Sequence, residues 1–84
     1  MTYSISILRR AQKALTAFPR SDYIKMRDAI RALAEEPRPT GCRKLVGRDG
    51  WRIRVGNYRA IYEVDDQNAA ILILAIGDRK DIYS

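Results

Sequence analysis

The chain has 84 residues, enough for a single domain spanning residues 1–84 with a modest two-layer core and too few for a separate cofactor or regulatory domain. Sixteen Lys and Arg against ten Asp and Glu give a formal charge of +6, which points to a polyanionic partner or an acidic protein. With no His and one cysteine, Cys42, a disulfide framework and zinc sites built on His or on Cys clusters are excluded, and Cys42 reads as packing.

Along the chain, Tyr3, Ile5 and Ile7 alternate with Thr2, Ser4 and Ser6, which predicts a first strand. Leu8, Ala11, Leu15 and Phe18 then recur at helical spacing until Pro19 stops the segment, because the residue before a proline avoids the α region. A second helix is expected from an N-cap at Ser21 or Asp22, with Tyr23, Met26, Ile30 and Leu33 along one face, ending before Pro37. Pro37, Pro39 and Gly41 make a rigid connector into a short strand at Lys44, Leu45 and Val46.

Residues 50–64, GWRIRVGNYRAIYEV, read as a hairpin. Trp51, Ile53 and Val55 alternate with Arg52 and Arg54, and Tyr58, Ala60, Tyr62 and Val64 continue the period of two. Gly56 and Asn57 form the two-residue loop, since Gly accepts positive φ without steric cost. That loop pairs Val55 with Tyr58, and so places Arg54 opposite Arg59, Ile53 opposite Ala60, Arg52 opposite Ile61 and Trp51 opposite Tyr62. One face is apolar; the other carries Arg52, Arg54, Arg59, Ile61 and Glu63. Like charges with Cβ atoms about 5 Å apart destabilise a sheet, so the arginine face is either a solvated surface with Glu63 as a diagonal counter-charge to Arg52, or an anion site. Arginine suits the second, because its planar fork matches phosphate oxygens two at a time.

Residues 69–76 are apolar at every position and predict a strand covered on both faces or central in the sheet. A turn at residues 65–68 would pair Val64 with Ala69 and Tyr58 with Ala75, delivering the charged tail, with Arg79 and Tyr83, beside Arg54 and Arg59. This apolar run is far too short to cross a bilayer and no charged and apolar leader is visible, so a cytoplasmic location and no membrane partner are expected.

The order Lys44-Leu45, then Trp51 through Val64, then Ala75-Ile76-Gly77 through Arg79 to Tyr83, resembles the RelE-type toxins of bacterial toxin–antitoxin modules, over nearly the whole chain. The resemblance implies an α+β fold, with an N-terminal strand and a two-helix hairpin packed on a largely antiparallel sheet. It also implies cleavage of messenger RNA in the ribosomal A site and a cognate antitoxin partner. The family's basic positions fall at Arg52, Arg54 and Arg59 and its tail positions at Arg79 and Tyr83. The first two are often lysine in the family, and the position of Asp78 is often Lys or His.

Such cleavage resembles attack of a 2′-hydroxyl on its own phosphate, which needs a base, positive charge for the phosphorane and help for the leaving oxygen. Arginine cannot be the base at neutral pH, so Arg52 and Arg54 are expected to stabilise charge, with Arg59 and Arg79 on the phosphate and leaving oxygen. Tyr83 is the better base candidate, since nearby cations favour its phenolate, and Glu63 is its understudy or a counter-charge. No cofactor or metal is expected. The rival reading from the same superfamily is a ParE-like toxin that inhibits DNA gyrase by binding alone; a basic RNA-binding module is a third.

Overall fold

The sequence from Ala70 to Asp78 forms the longest strand, β5, of a five-stranded sheet in a computed structural model that describes residues 2–78. Before it come β1 (Ser4–Ile7), α1 (Arg9–Thr16), α2 (Arg20–Ala32), β2 (Arg43–Lys44), β3 (Trp51–Val55) and β4 (Tyr58–Asp65). The strand order is β1-β5-β4-β3-β2; β1 runs parallel to β5 and every other pair is antiparallel.

Both helices bury their apolar stripes on one face of the sheet. Ala11 and Leu15 of α1, Met26 and Ile30 of α2, and Leu33 just beyond it meet Ile53, Ala60, Tyr62, Ile71, Ile73 and Ile76 in a single core, as helical spacing on one side and period-two spacing on the other require. At the edge of that core the Tyr62 hydroxyl donates to the Pro37 carbonyl at 2.7 Å, tying the connector to the sheet.

Three boundaries differ from the sequence reading. The second helix starts at Arg20 with Pro19 as the capping residue: Tyr23 N–H bonds the Pro19 carbonyl at 2.9 Å and no side chain caps the end. The fixed φ of proline presets that entry, and Ser21 and Asp22 fall inside the first turn. The short strand is Arg43–Lys44, not Lys44 to Val46. Leu45 N–H closes the following loop onto the Gly50 carbonyl at 3.0 Å, which turns the chain away and leaves Val46 99% exposed.

The third concerns β5. Val64 lies opposite Ile71 and Tyr58 opposite Asp78, where Ala69 and Ala75 were expected. Asp65 extends β4, and its carboxylate accepts from the Asn68 backbone N–H (3.1 Å) and side-chain amide (2.8 Å), so the loop sits one residue later, at 66–69. A bulge then sets Ile61 opposite Ala75 while Tyr62 stays opposite Ile73, leaving Leu74 as the extra residue. The Leu74 carbonyl accepts from Arg10 Nε of α1 at 3.0 Å. The bulge is also why Ile76, rather than Ala75, joins the core.

Candidate nucleic-acid interface

The helices cover one face of the sheet, and the arginines lie on the other. The β3–β4 register is the one the Gly56-Asn57 loop predicts: Arg54 pairs with Arg59, Arg52 with Ile61, Ile53 with Ala60, Val55 with Tyr58 and Trp51 with Tyr62. Gly56 takes φ +61° in an open turn, so the loop that sets the register needs glycine's freedom there. Because successive side chains alternate faces, Arg52, Arg54, Arg59, Ile61 and Glu63 share the face away from the core. Arg54 is exposed, Arg52 and Arg59 half-buried.

Ile61 is the exception to a polar surface: it is 3% exposed yet stands outside the main core. Its cross-strand neighbours are Arg52 on one side and Ala75, beside the Leu74 bulge, on the other. The arginine patch is therefore built around an apolar floor, the arrangement in which arginine stems cover carbon while their heads reach water.

A fourth arginine belongs to this face. Arg43 of β2 pairs with Arg52, so Arg43, Arg52 and Ile61 run across the sheet in one row, and Arg54, Arg59 and Gly77 in the next. Arg43 lies one residue before the strand expected from sequence, Lys44 to Val46, and only the Arg43-Lys44 doublet marks it there. Its neighbour Lys44 points to the opposite face, where its ammonium lies 5.4 Å from the centre of the Trp51 ring and the Arg38 guanidinium 5.1 Å from it.

Charge changes sign along the strands. Toward the 66–69 loop the same face carries Glu63 and Asp65, opposite Leu72 and Ala70. A cavity of about 700 Å³ opens there, where β4 runs past the start of β3, with Glu63, Leu72, Lys44 and Trp51 in its wall. Beyond it Asp66 accepts from Arg38 Nη2 at 2.8 Å and from the Tyr3 hydroxyl at 2.6 Å, and these bonds hold its carboxyl below the usual carboxylate range.

At the other end, Tyr58 fixes the hairpin to the helices. Its ring stacks on Phe18 with centroids 4.0 Å apart, and burial first, then Asp22, pushes its phenol above the ordinary value. Tyr58 also faces Asp78, the last described residue. The end of β5 thus lies beside Arg54 and Arg59, as expected, although by a different register. Arg79 and Tyr83 lie outside the described residues.

Comparison with protein-family models matches residues 5–83 to the ParE toxin of the type II toxin–antitoxin system parDE. The chain belongs to the RelE/ParE superfamily of toxins. The toxin is similar to the archaeal RelE in the RelE–RelB complex from Pyrococcus horikoshii, with 33% identity over 96% of this chain and 99% of that one and a TM-score of 0.85. Its fold is shared by the toxin–antitoxin complex RelBE2 of Mycobacterium tuberculosis (23% identity, 94% and 100% of the two chains, TM-score 0.79). An E. coli RelE variant with two arginines replaced, solved in the free state, shares it too (22%, 98% and 90%, TM-score 0.80). No curated protein sequence matches. The α+β architecture expected from the sequence is that of these toxins.

Proposed function

We propose that this toxin cleaves messenger RNA on the ribosome, using the arginine face of the sheet to hold and stabilise the scissile phosphate. One observation carries the reading: Arg54 directly opposite Arg59, with Arg52 and Arg43 in the adjacent row of the same open face. Opposed cations cost stability, and a phosphate between them offsets that cost while receiving several charge-assisted hydrogen bonds. The register supports this, since it brings three of the five candidate positions together.

In the proposed step the 2′-hydroxyl attacks the adjacent phosphorus. The P–O5′ bond breaks and a cyclic 2′,3′-phosphate forms, the hydroxyl proton passing to a base and the leaving oxygen taking one up. Arg52 and Arg54 stabilise the phosphorane, and Arg59 neutralises the phosphate. Arg79 and Tyr83, assigned by resemblance, supply leaving-group help and the base, with Glu63 as the second candidate for the base. A cognate antitoxin is the partner that holds this face idle; the P. horikoshii relative was solved with RelB.

The matching family model, a ParE toxin, favours one second reading: inhibition of DNA gyrase by binding alone. Inducing the chain in cells separates the two. Messenger RNA cut within codons, with intact chromosomal DNA, supports the nuclease; accumulating DNA breaks with intact messages support the gyrase binder.

A further inference from the structure

The cavity at the start of β3 has no part in the proposed cleavage. It opens because β4 continues past Tyr62, whose partner Trp51 is the first residue of β3. Glu63, Val64 and Asp65 therefore pair with β5 on one side and border the cavity on the other. Its volume, about 700 Å³, lies in the range of small-molecule sites. Its wall also joins the arginine face: Lys44 pairs with Trp51, and the next pair along the same two strands is Arg43 with Arg52, about 3.4 Å further on.

Two opposite charges border this space without meeting. Glu63 and Lys44 are both exposed and line the same cavity, yet neither takes part in an ion pair among the described residues. Two other charged groups of the wall are engaged, Arg38 with Asp66 at 2.8 Å and Asp65 with the Asn68 amide at 2.8 Å, and Asp49 stands on the β2–β3 loop rather than on the sheet. Beside them is the half-buried Trp51 ring, with the Lys44 ammonium 5.4 Å from its centre.

A ligand edge that satisfies both charges must present an acceptor next to paired donors, since a carboxylate accepts through two oxygens and an ammonium only donates. Among the RNA bases guanine alone does so. On its Watson–Crick edge O6 accepts beside the N1–H and N2–H donors, whereas adenine and cytosine set one amino group beside an acceptor and uracil sets one N–H between two acceptors. We propose that this cavity is a guanine site: the base takes the place of the Lys44 ammonium against the Trp51 ring, Glu63 accepts from N1–H and N2–H, Lys44 donates to O6, and the attached phosphate lies on Arg43 and Arg52. The ligand is a guanosine phosphate, supplied as a free nucleotide or as one residue of an RNA strand. Such a site gives Glu63 a binding role in place of proton transfer, and it stands whether or not the toxin cuts messages.

Trp51 is the only tryptophan of the chain, so its fluorescence reports the site directly. Titrating the purified toxin with GTP should quench it saturably, with an affinity about tenfold or more above that for ATP or CTP, the scale of one bidentate base contact. Glu63→Gln should bring GTP to the level of ATP and leave ATP where it was, and Arg43→Ser should weaken GTP but not guanosine. Both side chains are exposed, and the circular dichroism of the variants should be that of the wild type. Two 2′-O-methyl tetranucleotides, which cannot be cut, one with a single guanosine and one without, distinguish the sources: a guanosine strand that binds more tightly than GTP marks RNA as the supply, and the reverse marks the free nucleotide. Unchanged fluorescence, equal affinity for GTP and ATP, or a Glu63→Gln toxin that keeps its preference for GTP overturns the guanine site and leaves only phosphate on the arginines. A toxin that selects guanosine phosphates but cuts no message sinks the cleavage reading and leaves this one standing.

Discussion

Arg54 and Arg59 were legible as an opposed pair because a two-residue loop leaves a hairpin one register, and Gly56-Asn57 names that loop. Arg43 was not, because a two-residue strand has no periodicity to read, and its pairing with β3 goes with a loop closure, Leu45 onto Gly50, that only the folded chain makes. Nor could spacing reveal that Ile61, on the polar face, is buried. The single residues that join segments distant in sequence are also the ones whose loss is simplest to forecast. Tyr62→Phe removes the hydroxyl bonded to Pro37 at 2.7 Å without changing the ring, and should lower the urea-derived unfolding free energy by about 1 kcal/mol. Asp66 gives a pH signature. Arg38 and Tyr3 hold its folded-state pKa below that of the unfolded chain, so its contribution is present above the unfolded value of about 3.9 and is lost as the pH falls through the lower folded value. Melting temperature should fall in that acidic range, and Asp66→Asn should flatten the decline while lowering stability at neutral pH.

At the scale of elements, β1 and both helices followed from period-two and period-3.6 patterns, and the two prolines beyond the helices marked where they stop. The β4–β5 register did not follow, for a physical reason. A strand that is apolar at every position carries no parity signal, so neither the later turn nor the bulge at Leu74 leaves a trace in residues 69–76. What the turn does leave is strain. Ala69 sits at φ +49°, a conformation that costs a residue with a Cβ about 1–2 kcal/mol, while glycine pays about 0.5–1 kcal/mol in chain entropy. The first exceeds the second, so Ala69→Gly should raise stability by roughly 0.5 kcal/mol, read from paired chemical denaturation curves; a loss of stability would mean that the turn relaxes around Ala69.

The whole molecule is a sheet with a basic helical layer on one side and an arginine patch on the other, closed at one end by the Phe18–Tyr58 stack and at the other by the Tyr3–Asp66–Arg38 bonds. Composition announced the charge but not its division, since a total of +6 says nothing about which layer holds it. Superfamily membership follows from the match over residues 5–83, whereas the activity depends on the face the register assembles. The most direct test is the rate at which purified wild-type and Arg54→Ser toxin cut messenger RNA held on purified ribosomes, read by primer extension. Arg54 is exposed and outside the core, so the variant should fold like the wild type. The account predicts codon-positioned cuts by the wild type and a rate about 10²-fold lower for Arg54→Ser, the scale of losing one charge-stabilising group. Uncut message with the wild-type protein, or equal rates for the two, would contradict it.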